Sequence, residues 1–75
     1  MKEITASMAG TVLQVLVSEG EEISVGQVVV MLESMKMEIP LTAPISGIVR
    51  EVRVKPGAPV KAGQRVLVVQ SEDVV

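Results

Sequence analysis

Lys36 is bracketed by Met35 and Met37, and this short stretch is where the sequence could do chemistry. Lysine ends a long flexible stem in a primary amine, which can be acylated. Methionine side chains are flexible and polarisable and suit a surface that must fit several partners. A tight hairpin usually recruits Asn-Gly or Asp-Gly, so Met-Lys-Met in a turn asks for an explanation. One reading is a lysine on a protruding tip with an adaptable apolar collar. The other is an ordinary surface lysine with one or both methionines packed inward.

Most other chemistries are excluded by residue type. The 75 residues include no His, Cys, Phe, Tyr or Trp. That removes disulfides, Cys/His zinc sites, histidine acid–base catalysis and a cysteine nucleophile. No metal site is expected. A net charge of −2 without aromatic residues gives no nucleic-acid footprint. No apolar stretch approaches the length of a membrane-spanning helix, so no membrane insertion is expected. Lys2 and Glu3 follow Met1 without the apolar region of a signal peptide. The expectation is a soluble protein or excised domain in a reducing compartment. Glu and Lys side chains could do acid–base work. No motif sets a second group opposite them, so no catalytic residues are expected, and an enzyme in its own right is the poorest reading.

The elements that would position Lys36 read as strands. Sixteen Val, five Ile and three Thr make 24 β-branched residues, which favour strands over helices. Apolar residues at 48% favour a folded globule. The pattern predicts strands at Lys2–Ala6, Thr11–Val17, Val28–Glu33, Met37–Thr42, Ile48–Val54 and Arg65–Gln70. Short strands are expected near Glu22–Ser24 and Pro59–Lys61. Gly10, Gly20, Gly26, Gly47, Gly57 and Gly63 are assigned to connectors and turns. Pro44, Pro56 and Pro59 are assigned to links between strands. Pro40 falls inside a strand, which must then be an edge or bulged there. Without aromatics, the core should be thin and filled by Val, Leu, Ile and Met.

The chain repeats itself at an offset of 37 residues. Thr5, Ala6, Gly10, Val12, Val15, Val17, Gly20, Gly26, Gln27, Val29 and Ser34 each meet an identical residue. These are 11 identities over the 32 positions from Thr5 to Lys36. All three glycines of each half match, so the halves, about 1–36 and 38–75, should share a backbone path. Neither half could bury its apolar face alone. The expected all-β architecture is therefore two packed sheets or one flattened barrel with a pseudo-two-fold axis, forming a single domain over 1–75. Val12, Val15 and Val17 are spaced three and then two apart, as are Val49, Val52 and Val54. A β-bulge near Leu13–Gln14, and again near Arg50–Glu51, would keep these valines on one face. Otherwise Val12 faces outward. Asp73 is the counterpart of Lys36, in a tail rather than a turn.

The stretch Glu33-Ser34-Met35-Lys36-Met37, with Gly10, Gly20 and Gly26 before it and Gly47 after it, resembles the attachment region of biotin carboxyl carrier domains. These belong to the biotinyl/lipoyl attachment family, and the resemblance covers essentially the whole chain. It is nearest to small free-standing biotin/lipoyl attachment proteins and to the C-terminal biotinyl domains of carboxylase systems. The resemblance implies a barrel-sandwich hybrid, a flattened barrel of two four-stranded antiparallel sheets. It implies biotin joined to Lys36 on an exposed hairpin by a biotin protein ligase. Glu33, Ser34, Met35 and Met37 match the recognition motif. A biotin carboxylase would load CO2, and a carboxyltransferase would take it onward. The carrier itself would catalyse nothing. Its implied location is cytoplasmic, or the mitochondrial matrix for a domain of a larger eukaryotic chain. The chain leaves no room for the extra thumb insertion of the bacterial acetyl-CoA carboxylase carrier. Lipoyl domains usually have Asp-Lys-Ala at the tip, and this chain departs from that at both flanks, so lipoate is the lesser alternative. An unmodified adaptor module is the alternative of a different class.

Overall fold

The computed structural model describes residues 1–71, and the expectation for Asp73 falls outside them. Eight strands follow in order: β1 (Lys2–Thr5), β2 (Gly10–Val15), β3 (Glu22–Ile23), β4 (Val28–Ser34), β5 (Met37–Thr42), β6 (Gly47–Val52), β7 (Pro59–Val60) and β8 (Arg65–Ser71). They form two four-stranded antiparallel sheets, ordered β1-β8-β6-β3 and β5-β4-β2-β7. No helix among the described residues is long and apolar enough to cross a membrane. The expected strands are all present. Those at Thr11–Val17 and Ile48–Val54 start one residue earlier and stop two residues sooner than expected, at Gly10–Val15 and Gly47–Val52.

The offset of 37 governs the architecture. Strands β1 to β4 map onto β5 to β8 with their bounds preserved wherever both are strand throughout, as in Val28–Ser34 and Arg65–Ser71. The mapping also turns one sheet order into the other. Among the described residues, the sixteen buried apolar ones fall into eight pairs 37 apart, from Ile4 with Leu41 to Leu32 with Val69. Sheets with one apolar face each are covered by each other, and the two halves contribute equally to the core. Methionine takes no part in it: the buried apolar side chains among the described residues are Val, Leu, Ile and Ala. Val and Ala occupy so little space that the two sheets close without a flexible filler.

The valine spacing is explained by bulges. Pairing of β2 with β4 shifts between Val12 and Gln14, and pairing of β6 with β8 shifts between Val49 and Glu51. The extra residue restores the phase, so Val12 is buried at 1% exposure rather than facing out. A second pair of shifts lies in β4 against β5 between Val28 and Val30, and in β1 against β8 between Ile4 and Thr5. There the consecutive residues Val29 and Val30, and likewise Val66 and Leu67, are both buried. Strict alternation along the Val run could not announce this.

Turn chemistry separates the glycines into two classes. Gly20, Gly26, Gly57 and Gly63 have φ between 83° and 90°. Each is the third residue of a turn closed by a backbone bond, as from Gln27 N–H to the Ser24 carbonyl at 3.1 Å, the arrangement of a type II turn. Gly10 and Gly47 are not turn residues, contrary to expectation. They open β2 and β6, and neither has positive φ. What they supply is room, because a Cβ at Gly10 would stand 2.5 Å from the Glu33 carbonyl oxygen. A Cβ at Gly47 would collide with the Gln70 carbonyl oxygen in the same way. Pro40 lies on the edge strand β5, as its missing N–H requires. Pro59 lies in β7, the opposite edge of the same sheet, as the short strand expected near Pro59–Lys61 implies and not in a link between strands.

Candidate functional site

Strands β4 and β5 pair from Val28 with Thr42 to Ser34 with Met37. Only Met35 and Lys36 remain to reverse the chain, so the hairpin has a two-residue loop. Both have positive φ, 53° and 65°, and they are the non-glycine residues with positive φ among those described. Positive φ at both central positions is the mark of a type I′ turn, whose twist matches that of the flanking strands. The hairpin is thus formed by two residue types that disfavour its backbone. Strained positions of this kind persist where neighbouring pairs over-determine them, and they cluster at functional sites.

The turn throws its side chains outward. Met35 is 92% exposed and Met37 65% exposed, and Lys36 lies open between them. The alternative with methionines packed inward is therefore not the one adopted. The Lys36 side chain enters no ion pair or hydrogen bond among the described residues. Its amine stands in water on a stem that is free to sweep.

The hairpin base is more constrained than its tip. Ser34 is half-buried and pairs with Met37. One step back, Glu33 and Glu38 are directly paired, and both are exposed. Like charges set opposite across a ladder repel, and neither meets a cation at ion-pair distance among the described residues. Thr11 of β2 pairs with Glu33 from the other side. Gly10 lies beside this row, where an added Cβ would also come 3.4 Å from the Ser34 Cβ.

Sequence positions are thereby sorted. Glu33, Ser34, Met35, Lys36 and Met37 are gathered on one hairpin, and Gly10 lies at its base. Gly47 pairs with Ser71 at the end of β8 in the other sheet. Gly20, Gly26, Gly57 and Gly63 shape connecting turns and do not meet the hairpin through any backbone bond of those turns. Two features were not read from the sequence: the glutamate pair and the contact made by Gly10. The first depends on the β4–β5 register, which sequence does not display, and the second on a glycine whose composition signal is that of a turn. No group of acidic residues suited to a metal ion exists among those described. The chemistry the hairpin offers is that of an accessible primary amine at its tip, which fits a group attached through a carboxyl function.

Comparison with known proteins bears on what that group is. A family model described as "Biotin-requiring enzyme", of the biotin/lipoyl type, matches residues 2–70. The chain is 52% identical over 40 residues to the biotinylated protein TB7.3 of Mycobacterium tuberculosis, a match covering 53% of this chain and 56% of that protein. It is 56% identical over 36 residues to the methylmalonyl-CoA carboxyltransferase 1.3S subunit of Propionibacterium freudenreichii, covering 48% of this chain and 29% of that subunit. The matches thus span about half the length, or less, of these curated relatives. Among solved structures, a single-chain, multi-domain long-chain acyl-CoA carboxylase superposes with a TM-score of 0.89 at 38% identity, over 96% of this chain and 7% of that one. The urea carboxylase of Kluyveromyces lactis gives 0.86 at 28% identity, over 92% of this chain and 6% of that one. Eight strands in two matched sheets, an exposed lysine on the joining hairpin and a family match over nearly the whole length agree: the chain belongs to the biotin/lipoyl attachment family.

Proposed function

We propose that this chain is a biotin carboxyl carrier with Lys36 as its attachment point. The observation that carries the reading is the Lys36 amine, held between exposed Met35 and Met37 on a two-residue turn. A biotin protein ligase would join the carboxyl group of biotin to the Lys36 Nζ as an amide, in a step driven by ATP. Bound biotin supplies the ring nitrogen that takes up and releases a carboxyl group. The protein's own residues anchor and present. Lys36 serves as the flexible arm, while the barrel confines the disorder to that arm. Tethering makes each encounter with a partner site effectively intramolecular, which raises local concentration without new contacts.

The partners are a biotin carboxylase, which loads CO2, and a carboxyltransferase, which delivers it. The methylmalonyl-CoA carboxyltransferase subunit and the two carboxylases among the similar proteins support this assignment. The carrier contributes no catalytic residue of its own. We place it in the cytoplasm, where a ligase and ATP are at hand. Met35 and Met37 form the apolar collar read by ligase and carboxylase, with Glu33 and Ser34 beneath it. The links 16–21 and 53–58 are six residues each, which supports a carrier without the extra thumb.

A second reading is a lipoyl carrier. The chain is 50% identical over 38 residues to the biotin/lipoyl attachment protein of Bacillus subtilis, over 51% of this chain and 52% of that one. Both readings are tested together. The purified chain is incubated with ATP, biotin and biotin protein ligase, and its intact mass and modified peptide are recorded. The expected result is one biotin adduct on Lys36, absent from Lys36→Ala. An adduct formed only by lipoate and lipoate ligase would replace biotin with lipoate. No adduct from either, on a folded chain, would favour an unmodified adaptor.

A further inference from the structure

We propose that Gly10 is a positioning residue for Lys36, holding closed the hairpin that presents the amine; this rests on Lys36 being the attachment point. Gly10 begins β2, on the far side of β4 from β5. Its missing side chain lets the β2 backbone lie against the Glu33 carbonyl, where a Cβ would be only 2.5 Å from the oxygen. The same Cβ would come 3.4 Å from Ser34. Glu33 and Ser34 form the last two residues of β4 and pair with Glu38 and Met37. Those pairs are what keeps Met35 and Lys36 at positive φ, a conformation that neither residue favours in isolation.

The hairpin base carries opposing tendencies. The Glu33–Glu38 pair repels, and the left-handed residues beyond it gain by relaxing. Close packing of β2 at Gly10 resists both. A methyl group there cannot be absorbed by a flexible side chain, because the nearest atom is a backbone carbonyl oxygen. The end of β4 would move, the Ser34–Met37 pair would open, and the turn would lose its single geometry.

The pseudo-two-fold repeat provides an internal control. Gly47 is the counterpart of Gly10, with a tighter contact: a Cβ there would meet the Gln70 carbonyl oxygen and, at 2.7 Å, the side chain of Val69. It lies in the other sheet, beside the end of β8, where no lysine turn follows within the described residues. Gly10→Ala and Gly47→Ala therefore both crowd the end of a neighbouring strand, Gly47→Ala the more severely, but only the first disturbs the hairpin.

The experiment compares amide hydrogen exchange of residues 34–38 in the wild-type chain and both variants, alongside initial rates of biotinylation by biotin protein ligase. Exchange reports local opening independently of modification. In Gly10→Ala, exchange in the hairpin should rise at least about tenfold and the biotinylation rate fall at least about tenfold. In Gly47→Ala, both should stay within about twofold of wild type at a temperature where the domain is folded. Equal effects in the two variants, or an unchanged hairpin in Gly10→Ala, would overturn the proposal. Ser34→Val crowds the same contact from the hairpin side and carries the test if Gly10→Ala does not fold. It too should raise exchange at residues 34–38, and unchanged exchange would overturn the proposal. If the wild-type chain accepts no biotin, the carrier reading fails, while the exchange measurements still decide whether Gly10 holds the turn.

Discussion

Met35 and Lys36 sit at φ 53° and 65°, where an L residue is disfavoured by about 1–2 kcal/mol. Met35 is almost fully exposed, so its side chain contributes little packing in return. Met35→Gly should therefore stabilise the domain by about 0.5–1 kcal/mol, the relief of strain less the entropy glycine adds to the unfolded chain. Urea denaturation measures this. The same substitution removes half of the apolar collar, so biotinylation should slow while stability rises. A variant that became less stable would show that Met35 packs against something. Lys36→Ala, by contrast, removes an unpartnered exposed side chain. Its unfolding free energy should stay within about 0.5 kcal/mol of wild type, while the proposed biotin adduct should be lost.

At the scale of the element, the paired bulges convert valine spacing into a continuous buried face. Leu13 is the residue left over in β2, with 39% exposure, and Arg50 is its counterpart in β6. Leu13→Ala should change stability by no more than about 0.5–1 kcal/mol. Deleting Leu13 is a different matter. It removes the phase correction and turns Val12 away from the core or misregisters β2 against β4. The deletion should cost more than about 2 kcal/mol, the scale of losing a buried side chain from the interior. Circular dichroism and thermal unfolding of the two variants compare the effects directly. The bulges at Leu13 and Arg50 were legible because the three-then-two spacing occurs twice. Those at Val29 and Val66 were not, because an uninterrupted apolar run hides its phase.

The whole molecule is symmetric inside and asymmetric outside. Among the described residues, its buried apolar side chains form eight pairs related by 37 positions. Its charges do not repeat. Arg50, Arg53, Lys55, Lys61 and Arg65 stand where the first half has Leu13, Leu16, Ser18, Ser24 and Val28. Packing therefore constrains both halves alike, and the surface leaves each free to meet different surroundings. Leu32 and Leu67 are fully buried in opposite sheets. Leu32→Ala and Leu67→Ala should each cost about 2–5 kcal/mol by leaving a cavity that the barrel cannot fill. Denaturant unfolding would measure both, and a large loss in only one would show that the two sheets do not share the core evenly.

By itself the sequence determined the all-β class, the duplication, the eight strand positions and the Met-Lys-Met stretch that singles out Lys36 as the proposed attachment point. Each follows from short-range rules: β-branching, glycine spacing, residue chemistry and a repeat visible by alignment. Tertiary structure decided the rest. Gly10 and Gly47 have the composition of turn residues, yet their role depends on carbonyl oxygens 23 residues away in the chain. Glu33 and Glu38 become neighbours only once the β4–β5 register is fixed. Whether the methionines turn inward or outward depends on a hairpin twist that residue preference alone would not select. Local propensity fixes which segments extend. Contacts between distant segments fix what each residue faces, because close packing is a property of the assembled backbone.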